Sequence, residues 1–186
     1  MASGIGTGDV LMPSAADAAV RPARPADATA IAAVQARAWR QAFGAVLAPE
    51  ALEAEALAEA WRRAVAAAPS PRHMVLVATS GAVVVGFVAL APAPDPDLTG
   101  IVDEIVVLAV DPPHQRAGHG SRLLWAATAA MRGHGATGIV AWLPLPDAVL
   151  RNFLASAGMV ADGARRTLAA ADGGTVTQLR LTAALG

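Results

Sequence analysis

The stretch Val110-Asp111-Pro112-Pro113-His114-Gln115-Arg116-Ala117-Gly118-His119-Gly120-Ser121 decides how this sequence is read. An uninterrupted apolar run, Ile105 to Val110, stands before it, and an amphipathic segment, Ser121 to about Arg132, stands after it. The two prolines stop the strand, because proline has no N–H and restricts the residue before it. The small residues Ala117, Gly118 and Gly120 let the backbone come close to a ligand. Successive N–H groups in such a turn, added to the free N–H groups of a first helical turn, form an anion cradle. A pyrophosphate is the ligand that fits best. Arg116 adds charge at its rim, and Ser121 either caps the helix or meets a phosphate oxygen. Three phosphate loops compete. The P-loop needs Gly-Lys-Ser/Thr, and the chain has no lysine. The Rossmann fingerprint needs a third glycine, where Leu123 stands, and an acid about 20 residues on, where Gly138 and Ile139 stand. The third reading is an acyl-CoA loop.

Outward from the loop, the pattern reads β-α-α-β-β-β-α-β-α-β-β. Val20 to Pro25 is an extended opening segment, and Asp27 is placed to cap the helix after it. Ile31, Val34, Ala38 and Ala42 fall at helical spacing, with Trp39 and Phe43 beside them. Pro49-Glu50 opens a second helix with the stripe Leu57, Trp61, Val65. His73–Thr79 and Ala82–Leu90 form a hairpin around Ser80-Gly81. Gly100 to Val110 is the strand feeding the loop, and its continuous apolar end predicts burial on both faces. Gly133-His134-Gly135 stops the loop's helix. Ile139–Leu143 is a strand, and Pro146-Asp147 starts a helix carrying Leu150, Phe153, Leu154 and Ala157. Two closing strands, near Met159–Leu168 and Thr175–Thr182, meet at Asp172-Gly173-Gly174. Residues 1–19 read as a flexible extension and 20–186 as one domain.

Composition narrows the function classes. There is no cysteine, so disulfides, thiolate metal sites and cysteine nucleophiles are excluded, and a reducing cytoplasm suits the chain. All 14 basic residues are arginine, and the net charge of -1 gives no general attraction to nucleic acid. No apolar run approaches the roughly 20 residues of a membrane helix, and the first residues lack a basic n-region. His73, His114, His119 and His134 show no metal-ligand spacing, and His114 and His119 read as exposed loop residues. Trp125 reads as a packing residue. The expected partners are small molecules, with no metal, nucleic acid or membrane.

The loop resembles that of the GNAT acyltransferases, a superfamily of N-acetyltransferases. Their signature, Gln/Arg-x-x-Gly-x-Gly/Ala between the fourth strand and third helix, stands here as Gln115-Arg116-Ala117-Gly118-His119-Gly120. Arg21 to Asp27 resembles the family's opening strand, and Ala38-Trp39-Arg40-Gln41-Ala42-Phe43 a first-helix pattern of one bacterial branch. Asp147 to Met159 resembles its Asn-x-x-Ala-x-x-Phe-Tyr-x-x-x-Gly-Phe block. The resemblance covers roughly residues 20–181. It implies an α/β (α+β) fold with a mixed, mostly antiparallel sheet of six or seven strands, splayed at the middle and flanked by about four helices. It further implies acetyl-CoA as co-substrate and a primary amine as acceptor. The backbone of Leu108, Ala109 and Val110 would run along the pantetheine arm, and the amides from Gln115 through Arg116, Ala117, Gly118 and His119 to Gly120 would hold the pyrophosphate.

Acyl transfer to an amine needs a base, oxyanion donors and a fate for the thiolate. Glu104 is the candidate base. Strict alternation along the strand would place it on one face with Val106, Leu108 and Val110. Asp103 is the weaker choice. Asn152 is a candidate for reaching the CoA, and Asp147, at the family's Asn position, reads as a helix N-cap. Trp39, Phe43 and Trp142 are candidates for the amine pocket, with Trp61 either there or in the core. The family's tyrosine acid falls at Leu154, and the chain has no tyrosine. A catalytically weak acyl-CoA-binding regulatory or interaction protein is therefore the alternative function. The resemblance allows a monomer or a homodimer, with Val176, Leu179 and Leu181 as candidates for pairing across a dimer.

Overall fold

A computed structural model describes residues 18–44, 52–169 and 174–186. The expected helix start at Pro49-Glu50, the Asp172-Gly173 turn and most of the N-terminal extension lie outside the described residues. The elements are β1 (Ala18–Pro22), α1 (Ala28–Phe43), α2 (Ala54–Ala66), β2 (Met74–Ser80), β3 (Val83–Pro92), β4 (Val102–Val110), α3 (His119–Gly133), β5 (Gly138–Pro144), α4 (Ala148–Ser156), β6 (Val160–Ala169) and β7 (Thr175–Ala184). They build one seven-stranded sheet in the order β1-β2-β3-β4-β5-β7-β6. Every pairing is antiparallel except β4 with β5.

The sheet has an apolar layer on each face. On one face Leu123, Leu124, Ala127 and Met131 of α3, with Leu154 of α4, pack on Val85, Val88, Ile105 and Ala141. On the other, Ile31 and Val34 of α1 pack on Val77, Phe87 and Ala109. Trp61 of α2 joins this second layer, edge-on to Phe87 at 5.0 Å, and its indole N–H donates to Gln35 at 2.6 Å. Trp61 is thus half-buried and packed against the core. β7 lies inside the sheet, between β5 and β6, so Leu181 is buried and Leu179 packs on the same core. Neither is free to pair across a dimer, since the edge strands are β1 and β6.

Several local expectations change. β1 begins at Ala18, two residues before the expected domain start. Asp27 does not cap α1 with its side chain. Its carboxylate instead accepts from both terminal nitrogens of Arg21, at 2.7 and 2.9 Å, and from the Arg24 amide at 2.7 Å. The Arg21 hydrogen bonds are the main reason its pKa is lowered. Asp147 does cap α4, accepting from the Leu150 amide at 2.9 Å. Trp125 is 75% exposed and packs on nothing in either layer.

Candidate active site

The loop after β4 is built for anions by its backbone. A short 3-10 turn, Pro112–His114, follows the strand, and α3 starts at His119, two residues earlier than its pattern predicts. Arg116 and Gly118 both take left-handed backbone conformations, with φ of 65° and 81°. Alternating handedness of this kind turns successive N–H groups to one side, forming a nest. Gly118 is the N-cap and brings no side chain to the exposed helix start. Among the described residues, the amides from Arg116 to Ser121 donate to no protein acceptor. The expectation that Ser121 caps the helix does not hold, since it lies inside α3 and is exposed. A Cβ at Gly120 would meet Phe153 at 3.5 Å, ordinary contact that also suits alanine.

Side chains brace this loop from below. Gln115 donates to the Val110 carbonyl at 3.2 Å, tying the loop to the strand end. Asp111, nearly buried, accepts a two-pronged hydrogen bond from Arg37 of α1 at 2.7 and 2.8 Å. Contrary to expectation, His119 is buried at 5% exposure, and the side chain of His114 is only 35% exposed. Burial, with Arg122 and His114 nearby, lowers the pKa of His119, so it stands as a neutral ring beneath the loop. Its position at the first turn of α3 folds it inward, which the glycine-rich sequence did not show.

The strand entering the loop is half open. β4 and β5 pair over three residue pairs only: Val102 with Gly138, Asp103 with Ile139, and Glu104 with Val140. Beyond Glu104 the strands diverge, leaving Ile105 and residues 107–110, including Leu108 and Ala109, paired with β3 alone. The predicted burial on both faces fails here, and Val106 is 49% exposed. Its cause is visible in the register. Ala89 pairs with Val107 but Leu90 pairs with Ile105, so Val106 is an extra residue, a β-bulge. The bulge also reverses the alternation. Ile105 joins the face of Leu108 and Val110, and Glu104 turns to the opposite face, toward the α1 side. The expected shared face of Glu104, Val106, Leu108 and Val110 does not form.

Glu104 therefore sits at the fork, 8% exposed, on the same face as Trp142 of β5. Burial pushes its pKa up, Arg166 opposes this, and Asp95 adds to it. Arg166 of β6 places a terminal nitrogen 3.7 Å from the Glu104 carboxylate, lies 4.5 Å over the Trp142 ring, and donates from Nε to Gln178 at 2.6 Å. The Trp142 N–H donates to Asp95 at 3.1 Å. Arg180, 4% exposed, is held by Asp95 at 3.1 Å, by Asp162 at 2.7 Å and by Asp97. Asp97 and Asp162 raise its pKa, so it is a permanent cation.

Of the expected pocket residues, Trp142 is at this site. Trp39 and Phe43 are half-buried in the turns of α1 after Arg37, and neither belongs to an apolar layer. Asn152 is exposed on α4. Leu154, at the tyrosine position, is fully buried between α4 and the sheet. Asp103 is fully buried and structural, accepting from Arg72 at 2.8 and 2.6 Å and facing His134 at 2.5 Å. Sequence reasoning missed Arg166, Arg180, Asp95, Asp97 and Asp162. They are charged residues in a loop and two late strands, and nothing local marks them as convergent.

Comparison with known proteins bears on the fold and the family. The family model "Acetyltransferase (GNAT) family" matches residues 31–159. No curated protein matches the chain. Among solved structures, the GCN5-related N-acetyltransferase of Rhodopseudomonas palustris is 27% identical, with a TM-score of 0.66 over 90% of this chain and 95% of that one. YncA of Salmonella typhimurium, solved with its cofactor acetyl-CoA, is 21% identical, with a TM-score of 0.67 over 91% and 95%. The PaiA N-acetyltransferase of Thermoplasma acidophilum, solved with coenzyme A, is 14% identical, with a TM-score of 0.65 over 90% and 98%. The loop of free amides, the forked strands and the family match lead to one conclusion: this chain belongs to the GNAT acetyltransferase family.

Proposed function

We propose that this protein transfers an acetyl group from acetyl-CoA to a primary amine by direct attack, with Glu104 as the base. The observation carrying this reading is the buried carboxylate at the fork, beside an open strand edge that leads to a nest of free amides. The residues fit the cofactor in two ways. The amides of residues 116–121 suit a pyrophosphate, and the free edge of Ile105–Val110 suits the amide-bearing pantetheine arm. When bound, acetyl-CoA supplies the thioester. Glu104 takes a proton from the acceptor ammonium, directly or through one water, leaving the nitrogen lone pair free to attack the thioester carbonyl carbon. Amides near Leu108 stabilise the developing oxyanion. The C–S bond breaks, and the acylated nitrogen gives up its second proton, which neutralises the departing thiolate through solvent, so that no side-chain acid is required.

Burial makes Glu104 a stronger base than an exposed carboxylate, since its raised pKa brings it nearer to neutrality. The absence of tyrosine, with Leu154 at the position the family resemblance gives to the acid, favours a second reading, an acyl-CoA-binding regulatory or interaction protein with little turnover. Thiol release from acetyl-CoA over a panel of primary amines separates the two. Amine-dependent release that falls in Glu104→Gln supports the enzyme. Saturable acetyl-CoA binding with no amine-dependent release supports the binder. A single domain over residues 20–186 and a cytoplasmic location accompany the reading. Among the described residues no helix is long and apolar enough to cross a membrane.

A further inference from the structure

Beside Glu104 stand two arginines in opposite situations. Arg180 is spent: three carboxylates hold it, and its side chain is 5% exposed. Arg166 has hydrogen-bonding capacity left. Its Nε is used by Gln178, but its two terminal nitrogens donate no hydrogen bond among the described residues. Its side chain is 34% exposed, against 5% for Arg180. The Trp142 ring beneath the guanidinium and the Gln178 bond fix its plane. Trp142 is itself held by Asp95. An arginine oriented this way presents a rigid fork suited to a carboxylate.

The fork stands 3.7 Å from Glu104, the group that receives the amine's proton. Anion site and cation site are therefore side by side. In an α-amino acid the nitrogen and the nearer carboxylate oxygen are about 3 Å apart by standard bond lengths. A free amino acid thus presents to this pair the complementary pair, ammonium to Glu104 and carboxylate to Arg166. From this juxtaposition we infer that the acceptor is a zwitterionic α-amino acid, bound through its carboxylate by Arg166. This rests on the acetyltransferase reading above and adds the substrate class. A protein N-terminus carries an amide in place of that carboxylate and leaves Arg166 without its partner. The substrate also strengthens its own base: a carboxylate on Arg166 neutralises the cation that holds the Glu104 pKa down.

The test uses the full-length protein and matched acceptors: the common L-amino acids, their α-amides and the corresponding decarboxylated amines. Two readouts are taken. One is thiol release with acetyl-CoA. The other is equilibrium binding of the same acceptors to the CoA-loaded protein, which needs no turnover. Free acids are expected to exceed their amides at least 10-fold in kcat/KM and in affinity. Arg166→Gln collapses that preference, bringing the acid-to-amine ratio in kcat/KM and in affinity close to one, and Arg166→Lys restores part of it. Turnover of amines with no carboxylate preference, or equal losses on acids and amines in Arg166→Gln, overturns the inference and leaves the acetyltransferase reading standing. Arg166-dependent binding of acids without turnover supports the inference and overturns that reading. Failure of every acceptor to bind the CoA-loaded protein overturns the inference whatever the turnover.

Discussion

The two halves of the candidate active site are made differently. The loop from Asp111 to Ser121 presents main-chain amides, and its specificity is in φ angles and glycines. The fork around Glu104 presents side chains from β4, β5, β6 and β7 and from the loop after β3, joined over long sequence separations. A backbone site tolerates change in side chains but not in conformation. A side-chain site tolerates drift in the backbone but not the loss of a charge. One family can accordingly keep a cofactor loop while its acceptor pockets diverge.

The sharpest way to break the comparison is Glu104→Gln. The acceptor half should fail alone: kcat falls about 100-fold or more, while acetyl-CoA affinity by calorimetry stays within about 2-fold. The same variant has a readable stability signature. The folded state raises the proton affinity of Glu104 above that of the unfolded chain. Its contribution is therefore fully present below the ordinary carboxylate pKa and is lost as pH rises through the higher folded value. Glu104→Gln should leave Tm unchanged or higher at neutral pH and reduce that loss.

Gly118→Val should break the cofactor half alone. Gly118 sits at φ 81°, where a β-branched residue is strained by about 1–3 kcal/mol. A new Cβ would also stand 3.0 Å from the Arg122 guanidinium. Acetyl-CoA affinity should drop on the order of 10- to 100-fold, with acceptor preference unchanged at saturating cofactor.

How much of this was legible in the sequence follows the same division. The order of seven strands and four helices and the anion loop could be read from residues near one another. The proline break, the glycines and the helical stripe lie within about two dozen positions. The fork was named through the family resemblance, but its handedness was not. A valine-rich run gives no sign of a bulge, and that one extra residue moves Glu104 to the other face. The charged cluster around Arg180 was invisible for a related reason. Arg180 reaches Asp95 across 85 positions, and charged residues in loops and edge strands ordinarily face water. Asp103, beside Glu104, looked like a weaker base and proved to be a buried anchor for Arg72 and His134.

Arg37→Ala tests the joint between the halves. Arg37 lies on α1 and its partner Asp111 starts the loop, 74 positions away. Asp111 is nearly buried while Arg37 is 46% exposed, so the loss should be about 1–2 kcal/mol rather than the full cost of a buried pair. A fall in Tm of several degrees and a weaker acetyl-CoA affinity should appear together. The smallest effect is on pH. The acid limb of kcat should lie above the usual carboxylate range because burial raises Glu104, and Arg166→Gln should move it higher still, since Arg166 opposes that rise.

The central claim is that the free amides of residues 116–121 hold acetyl-CoA. Calorimetric titration of the wild-type protein and Gly118→Val with acetyl-CoA, alongside NADH and ATP, tests it most directly. Saturable binding of acetyl-CoA alone, weakened at least 10-fold in the folded variant, is the predicted result. A folded wild-type protein that does not bind acetyl-CoA, or a variant that binds it equally well, would contradict the claim.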